Sequence, residues 1–457
     1  MAAQTGPAAR SMNVSWVRWL PQRIKRRIEG RVTLQRAIGN TLWLVADKGL
    51  RLVVSLFVIA WMARYLGPQQ YGLFNYAAAL VALLGGLSAL GLEGILVREF
   101  VQDPAAAPDL LGTALALRIA GGLVVLALSL PLAFRLQSGD PELLLLVGVV
   151  AGGSVFQAFD VFDQWFQSQL LSKRAVIAKN IAFLVKAALT VVLILIRAPL
   201  LAFAWVVAGQ RALGAFTIAW TYGNRGGSLR SLRVRLATAR RLIGESWPLI
   251  ISGMAVGIYM RIDQVMLGRM LGDSAVGIYT AATQLTEFSY IIPTMIVASA
   301  SPGLFSLRNT NQALFLQRLE QLLRGLTGLA LVIALPVTLL SGAIVRLLYG
   351  NSYAESATVL QVHVWAAVFV FSGVAQHSWF LAEGLAKLTV VRTVVGALAN
   401  IALNVFMIPR YGPVGAAVAT LVSFALSWML INAFDRRTRG LFFMQLRAFQ
   451  LWKMWDT

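Results

Sequence analysis

The sequence predicts an all-α polytopic membrane protein with twelve transmembrane helices in two six-helix lobes with pseudo-two-fold symmetry along the membrane normal. Three observations support this fold class: an apolar composition, twelve long apolar windows and an internal repeat. Of the 457 residues, 58% are hydrophobic and 13% are charged, whereas about 25% of residues are charged in a soluble globular chain. The composition therefore excludes a soluble enzyme and a disordered protein.

The apolar windows are long enough to cross the hydrocarbon core of a bilayer, which takes roughly 20 residues of α-helix. Turn-forming residues or charge clusters separate them. We place the twelve spans at 41–63, 73–95, 110–134, 143–166, 175–196, 199–221, 247–270, 276–301, 323–345, 357–381, 388–408 and 413–434. The stretch from Leu441 to Trp455 is shorter and carries Arg447 and Lys453, which predicts an interfacial amphipathic tail.

Basic residues are unevenly distributed between the two ends of the predicted helices. The formal net charge is +21, from 40 Lys and Arg against 19 Asp and Glu. Six alternate connections hold one basic residue each, namely Arg64, Arg135, Arg197, Arg269, Arg346 and Arg410. The N-terminal segment, the central connection and the tail are much richer, so the positive-inside rule places both termini and the central loop in the cytoplasm. There the surplus charge meets anionic lipid head groups, and we predict no nucleic-acid partner.

The same pattern divides the chain into five predicted parts. They are a cytoplasmic basic juxtamembrane segment 1–40, an N-terminal six-helix lobe 41–222, a cytoplasmic basic linker 223–246, a C-terminal six-helix lobe 247–434 and a cytoplasmic amphipathic basic tail 435–457. No apolar run followed by a small-residue cleavage site precedes the first span, so we predict no removable signal peptide.

Two stretches of the chain, 205 positions apart, resemble each other. Arg64-Tyr-Leu-Gly67 leads to Gly72, and Arg269-Met-Leu-Gly272 leads to Gly277. Six spans separate the copies, an even number, so the halves have the same orientation and their axis lies along the membrane normal. Transporters built in this way bind substrate between the halves and alternate access by rocking. A weaker echo, offset by 214 positions, aligns spans five and eleven through Lys173 with Lys387, Val176 with Val390 and Leu184 with Leu398.

Motifs for enzymatic chemistry are absent from the sequence. It has no cysteine, no glycine-rich phosphate loop, no zinc-binding histidine pair and no two aspartates two positions apart. Only two histidines occur, His363 and His377, and nothing indicates a Ser-His-Asp arrangement. We therefore predict that the protein is not an enzyme and has no catalytic residue, metal or cofactor.

Basic residues inside the spans are the candidates for substrate binding. Each costs about 2.5–3.5 kcal/mol at the centre of a lone transmembrane helix, so it is expected to face a hydrated cavity or a partner. Four lie near mid-membrane: Arg118, Lys186, Arg211 and Arg261. The three in the N-terminal lobe have no carboxylate at the same depth, which predicts a positive cavity for a phosphate or pyrophosphate head group.

Lys48 and Arg51 in the first span are further candidates for substrate binding. Asp47 and Arg51 are spaced i, i+4, however, and their pairing on one face of the helix is the alternative interpretation.

Three acidic residues are candidates for ion coupling: Asp163, Asp263 and Glu287. Asp160 and Asp163 share a helix face, which suits proton binding, with a solvated cytoplasmic rim as the alternative. Arg261 and Asp263 cannot share a helix face, so we predict that Arg261 contacts Glu287 in the next span.

Several segments resemble a known family. They are Ala63-Arg-Tyr-Leu-Gly-Pro68, Arg261-Ile-Asp-Gln-Val-Met-Leu-Gly268, Val276-Gly-Ile-Tyr-Thr-Ala-Ala282, Asn400-Ile-Ala-Leu-Asn404 and Ile408-Pro-Arg-Tyr-Gly412. With them the chain resembles the bacterial oligosaccharide flippases, the polysaccharide-transport branch of the multidrug/oligosaccharidyl-lipid/polysaccharide exporter superfamily. The resemblance covers about residues 40–434.

The resemblance implies a flippase in the bacterial cytoplasmic (inner) membrane. Such a protein moves undecaprenyl-pyrophosphate-linked oligosaccharide from the cytoplasmic to the outer leaflet by alternating access, driven by membrane potential, proton antiport or both. Its implied partners are that lipid-linked oligosaccharide, membrane lipids and the polysaccharide polymerase or export machinery. Two alternatives stay open: a drug or cation antiporter of the same superfamily, and a membrane glycan polymerase or ligase.

Overall fold

Every regular element that the structure describes is a helix. The computed structural model describes residues 32–137, 140–169, 171–224 and 227–450. It separates into two compact units, 1–56 and 57–457. The packing described below concerns residues of the second unit.

The N-terminal part of the chain forms eight helices. They are α1 (Val32–Leu83), α2 (Gly85–Ala89), α3 (Glu93–Gln102), α4 (Ala107–Leu136), α5 (Pro141–Val155), α6 (Val161–Ser168), α7 (Ser172–Leu195) and α8 (Leu200–Gly223). Short 3-10 turns at Pro104–Ala106 and Phe156–Asp160 join α3 to α4 and α5 to α6.

The C-terminal part forms eight more. They are α9 (Leu236–Leu271), α10 (Asp273–Ser289), α11 (Ile291–Thr310), α12 (Gln312–Tyr349), α13 (Ser356–His363), α14 (Ala366–Ala382), α15 (Ala386–Trp428) and α16 (Arg439–Ala448). Further 3-10 turns lie at Leu229–Ser231, Asn351–Tyr353 and Leu430–Ala433.

The helical stretches account for the twelve predicted spans. Within the described residues, ten stretches are long and apolar enough to cross a membrane. Two of them are double, because α1 and α15 each contain a glycine with non-helical dihedral angles, Gly67 (φ 71°, ψ 170°) and Gly412 (φ 58°, ψ −139°). A proline follows each glycine and cannot continue the hydrogen-bond ladder. Division at these kinks gives twelve segments, which confirms the predicted polytopic all-α fold class.

The internal repeat forms the same backbone turn twice. Gly67 and Gly272 occupy equivalent places in the two copies and have similar dihedral angles, with Gly272 at φ 86° and ψ 179°. Only glycine adopts this region readily, since a Cβ would collide with the neighbouring backbone. The repeated glycine therefore ends one span and redirects the chain into the next.

The two turns also contact each other directly. A Cβ built on Gly72 would overlap the backbone oxygen of Asp273, and one built on Gly277 would overlap the backbone oxygen of Pro68. Pro68 and Asp273 are equivalent in the repeat, as are Gly72 and Gly277, so the contact is reciprocal, as a two-fold relation between the halves requires. The absence of side chains on both glycines lets the two backbones touch.

The central connection lies against the start of α4. The backbone N–H of Arg235 donates to Thr113 Oγ1 at 3.0 Å, and Arg235 Nε lies 2.8 Å from Asp109 Oδ2. Helix α9 begins at Leu236, inside the segment 223–246 that the sequence predicts as linker. That prediction rests on basic residues, which indicate the side of the membrane but do not indicate where a helix begins.

The tail helix α16 is anchored by a buried polar network. Gln445 Nε2 donates to Ser372 Oγ and to the carbonyl of Trp428, both at 2.9 Å, and Asn432 Nδ2 donates to Gln445 Oε1 at 2.7 Å. Leu441 is also fully buried, while Phe443 on the same helix is exposed. The described part of the tail is thus an amphipathic helix attached to α14 and α15.

Candidate functional site

A cavity of ≈ 410 Å³ lies among the N-terminal helices. Its apolar wall includes Val58 on α1 and Phe203 on α8. Its polar lining consists of Tyr71, Asn75, Ser88, Ser154, Gln157, Lys186, Thr190, Arg211 and Gln284. Gln284 on α10 comes from the C-terminal half and accepts a 2.6 Å hydrogen bond from the Tyr71 hydroxyl. The cavity therefore sits within the N-terminal lobe and reaches the other half of the chain at this contact.

Two of the four predicted mid-membrane cations meet in this cavity. Lys186 on α7 and Arg211 on α8 both line it. Arg211 Nη1 donates to the carbonyl of Val150 at 3.1 Å, which fixes the guanidinium without neutralising its charge. Among the described residues, neither side chain forms an ion pair with a carboxylate. The two basic side chains therefore share the cavity without a carboxylate partner among the described residues.

Arg118 stands behind the cavity wall. It is only 2% exposed, and its Nε donates to the carbonyl of Ser88 at 3.4 Å. Ser88 Oγ in turn donates to Gln157 Oε1 at 3.4 Å, and both Ser88 and Gln157 line the cavity. Arg118 thus does not line the cavity. Its positive charge lies directly behind Ser88, which does line it, and contributes to the positive potential in the cavity.

The break in the fourth span places Gln157. Helix α5 ends at Val155, and the 3-10 turn Phe156–Asp160 intervenes before α6. Such a turn within a helix changes which face each residue presents and often marks a functional hinge. It packs against α4 and α8, the helices of Arg118 and Arg211. The sequence did not indicate Gln157 as a site residue, because a neutral amide costs much less free energy inside a membrane span than a charged side chain does.

Asp163 belongs to an ion-pair cluster that does not line the cavity. Lys179 Nζ lies 2.7 Å from Asp163 Oδ2 and 3.2 Å from Asp160 Oδ1. All three side chains are partly exposed, which agrees with the solvated rim that the sequence left open as an alternative.

Arg261 is paired with Glu287, as the sequence predicts. Both terminal nitrogens of Arg261 donate to the two carboxylate oxygens of Glu287, each at 3.3 Å. This fork-to-fork geometry neutralises both groups and joins α9 to α10. Arg261 does not line the N-terminal cavity, and so the structure does not bring it together with Lys186 and Arg211.

Asp263 lies in a buried network of neutral donors. It is 4% exposed and accepts hydrogen bonds from Tyr279 Oη at 2.7 Å, Thr420 Oγ1 at 2.5 Å and Asn404 Nδ2 at 2.5 Å. Among the described residues, no basic side chain pairs with it. A carboxylate surrounded by amide and hydroxyl groups offers oxygen ligands of the type that bind a proton or a hard cation.

The partners of Asp263 were not predicted as site residues, although the sequence holds a signal. Asn400 and Asn404 are four positions apart in an apolar span, so they lie on one helix face. Asn404 Nδ2 also donates to Asn400 Oδ1 at 3.0 Å. Two amides in that arrangement within a membrane helix indicate a polar partner on a neighbouring helix.

The two candidates in the first span are not assigned to the cavity. The side chain of Lys48 lies outside the described residues. Arg51 is half-buried and belongs to the unit 1–56.

Comparison with known proteins gives a family match and two informative relatives. Residues 37–307 match the model of the family described as polysaccharide biosynthesis protein. The chain is 33% identical over 179 residues to the probable flippase AglR of Haloferax volcanii, a match that covers 38% of this chain and 37% of that protein. It is 22% identical over 430 residues to the putative O-antigen transporter of Shigella flexneri, which covers 86% of this chain and 96% of the relative. The chain thus spans little more than a third of AglR but nearly all of the putative O-antigen transporter.

Solved structures share the fold at low sequence identity. An inward-facing multidrug resistance MATE family transporter of the MOP superfamily superposes with a TM-score of 0.71 at 16% identity, covering 88% of this chain and 96% of that one. The lipid II flippase MurJ, in an inward closed conformation, superposes with a TM-score of 0.65 at 13% identity, covering 89% and 91%. One fold therefore serves both kinds of transporter, and the likeness alone does not decide between them.

Proposed function

The chain belongs to the polysaccharide biosynthesis protein family, and we propose that it is a flippase for a lipid-linked oligosaccharide. In this proposal, the substrate is a glycan on undecaprenyl pyrophosphate, which moves from the cytoplasmic to the outer leaflet of a bacterial cytoplasmic membrane by alternating access. Both termini would then lie in the cytoplasm, in accord with the positive-inside rule. One observation carries the proposal: a cavity whose two cations lack carboxylate partners among the described residues.

Unneutralised cations in a membrane cavity favour an anionic ligand. Removing a charge from water costs several kcal/mol or more, and a counter-charge recovers much of it. Lys186 and Arg211 have hydrogen-bond donors suited to phosphate oxygens, and Arg118 strengthens the field from behind. Binding pockets for small ligands measure about 300–1,000 Å³, and this cavity of ≈ 410 Å³ fits the pyrophosphate head and adjoining sugar. We assign the remaining glycan to the space that opens between the halves, and the polyprenyl tail to the lipid.

The neutral polar residues of the cavity would orient the ligand. Asn75, Gln157 and Gln284 line it, and amide groups can both donate to phosphate oxygens and accept from sugar hydroxyls. Gln284 is bound to Tyr71 across the two halves. A head group that competes for this hydrogen bond would couple ligand binding to a change in the contact between the halves.

Membrane potential is a sufficient driving force in principle. Moving two negative charges outward across an inside-negative potential of about 100 mV releases ~4.6 kcal/mol, at ~2.3 kcal/mol per charge. A coupled cation would add to this force. Asp263 is the best-placed coupling residue, because Glu287 is held by Arg261 and Asp163 by Lys179.

The alternative of a drug antiporter draws on the fold shared with the MATE transporter. Exporters of cationic drugs require a cavity that attracts positive charge, whereas Lys186 and Arg211 repel it. Ethidium export by cells that express this chain, unaffected by Lys186→Gln, would support the antiporter and contradict the flippase.

A cellular experiment tests the proposed head-group site. In the source organism, the chain is replaced by Arg118→Gln, Lys186→Gln or Arg211→Gln, and surface polysaccharide and membrane levels of the protein are measured. We expect at least a tenfold loss of polysaccharide for Lys186→Gln and Arg211→Gln, because each removes a charged contact to phosphate worth about 1.5–3 kcal/mol. Arg118→Gln should have a smaller effect, since Arg118 acts from behind the wall.

Two variants serve as controls for that experiment. Lys186→Arg keeps the charge and should restore most of the polysaccharide, while Arg346→Gln removes an exposed charge far along the chain from the cavity residues and should change nothing. Normal polysaccharide in both Lys186→Gln and Arg211→Gln, with the proteins present in the membrane, would reject the proposed site.

A further inference from the structure

A second pocket, of ≈ 540 Å³, lies beside the start of the predicted span 388–408 and the end of the predicted span 413–434. We call it the basic groove and define it by Val391, Arg392, Phe434, Asp435, Arg436 and Arg437. The first two residues lie near the start of α15, and the others follow the turn Leu430–Ala433. By the positive-inside rule, this end of the helices faces the cytoplasmic leaflet.

Arg392 is a buried cation in need of a counter-charge. It is 6% exposed, its guanidinium carbon lies 4.1 Å from the centre of the Phe380 ring, and its Nη1 has no hydrogen-bond partner among the described residues. The cation–π contact compensates only part of the lost hydration. The groove therefore contains a positive charge that a bound anion would stabilise.

The carboxylate of the groove is already engaged. Asp435 accepts from the backbone N–H of Arg437 at 2.9 Å and from its guanidinium at 3.3 and 3.4 Å. These contacts lower the pKa of Asp435 below its ordinary value, so it stays ionised and bound to Arg437 at neutral pH. With three arginines and one aspartate, the groove keeps a positive balance.

Exposed apolar side chains stand next to these charges. Phe434 is 81% exposed and Val391 about half exposed. In a membrane protein, contact of such apolar surfaces with lipid has no unfavourable free energy, whereas their exposure to water would be unfavourable. The neighbouring charges and apolar groups fit a ligand with an anionic head and an apolar tail.

The other half of the chain supplies an internal comparison. A groove of ≈ 410 Å³ occurs there, lined in part by Ile177, Ala178 and Trp220. At the offset of 214 positions that relates spans five and eleven, Ala178 corresponds to Arg392 and Trp220 to Phe434. A similar groove therefore occurs in both halves, and none of the described residues that line the N-terminal one is an arginine. Alanine at the equivalent position indicates that a groove of this kind forms without an arginine there.

We propose that the basic groove binds the phosphate of an anionic phospholipid, such as phosphatidylglycerol, from the surrounding leaflet. Arg392 contacts the phosphate from within, Arg436 approaches it from the exposed rim, and the acyl chains lie along Val391 and Phe434. Basic pockets between transmembrane helices on the cytoplasmic side are suited to anionic head groups. The site is separate from the cavity of Lys186 and Arg211, and it does not depend on which substrate the protein transports.

Native mass spectrometry of the purified full chain tests the lipid site. The protein in detergent is titrated with phosphatidylglycerol or with phosphatidylcholine of the same acyl chains. We expect at least tenfold tighter retention of phosphatidylglycerol, and a loss of that preference in Arg392→Gln, because a charged hydrogen bond is removed. Arg392→Lys should retain most of the preference.

Two further variants separate a specific site from general effects. Arg436→Gln alters an exposed side chain that folding does not need, so it decides the matter if Arg392→Gln does not fold, and it should weaken retention several-fold. Arg240→Gln removes one exposed charge outside the groove and should leave the preference intact. Equal retention of both lipids, an equal loss in Arg240→Gln, or release of the lipid by excess inorganic phosphate alone would overturn the proposal.

Discussion

Asp263 and Arg211 illustrate which properties of a single residue follow from the sequence and which require the structure. The sequence identified both as costly charges inside membrane spans. It could not distinguish Arg211, which lines the cavity, from Arg261, which does not. That difference depends on how the helices pack against one another, which spacing along one helix does not determine. The predicted Arg261–Glu287 contact is confirmed because adjacent spans leave few possible partners.

Neutral polar residues account for most of what the sequence did not predict at the sites. Gln157 and Gln284 line the cavity, and Thr420 and Asn404 hold Asp263. Amides and hydroxyls are tolerated at many places in a membrane helix, because they can bond to backbone carbonyls of their own helix. Their role becomes visible only when the helices that carry them are brought together.

Substitution of Asp263 separates its structural role from its role in coupling. In Asp263→Ala, three buried donors lose their acceptor, and each costs about 1–3 kcal/mol, so we expect a clear drop in the melting temperature. Asp263→Asn keeps one carbonyl acceptor and should fold. Flipping by this variant in vesicles should no longer respond to a proton or sodium gradient.

Glu355→Gln is the matched control for Asp263, since it removes an exposed acidic group. It should have the melting temperature and gradient response of the unaltered chain. If Asp263→Asn responds to gradients as the unaltered chain does, Asp263 is not the coupling residue.

The repeated turn could be recognised in the sequence, but its packing could not be predicted from it. The repeat was evident from Gly67, Gly72 and their counterparts, but nothing in the sequence indicated that the two turns touch. The contact depends on packing of the two halves, and an absent side chain leaves no periodic signal. Similarly, α9 begins at Leu236 because residues within the basic segment continue the helix.

In the proposed topology the repeated turns lie on the outer side, and their reciprocal contact would act there as a gate. Gly72→Ala or Gly277→Ala introduces a methyl group that overlaps the opposite backbone. We expect these variants to hold the turns apart and to slow flipping at least several-fold. The chain has no cysteine, so Gln70→Cys and Ser274→Cys allow spin labels on the two turns, and their separation should increase.

Gly209→Ala is the control for the repeated glycines, because nothing lies within 4 Å of a Cβ built there. It should leave the label distance and the flipping rate unchanged. An unaltered label distance in both Gly72→Ala and Gly277→Ala would show that the turns are not held together by this contact.

Charge distribution over the whole molecule links the fold to the proposed activity. The twelve-span fold was predictable from composition and apolar windows, since a bilayer admits few other structures for such a chain. Function was not predictable from the fold, which MATE and MurJ share. The N-terminal cavity holds basic side chains, whereas the C-terminal half has the Arg261–Glu287 ion pair and the neutral network around Asp263. This asymmetry favours an anionic lipid head group over a cationic drug.

Flipping in proteoliposomes tests the central claim most directly, which is that Lys186 and Arg211 together receive a pyrophosphate head group. The purified chain is reconstituted with a pyrophosphate-linked oligosaccharide lipid, and a membrane-impermeant glycosidase reports the fraction that has crossed. We predict that an electrical potential accelerates crossing without a pH gradient, and that the Lys186→Gln/Arg211→Gln variant is slower by at least tenfold. Arg346→Gln should match the unaltered chain. Equal rates for the double variant and the unaltered chain, at equal amounts of folded protein, would contradict the account.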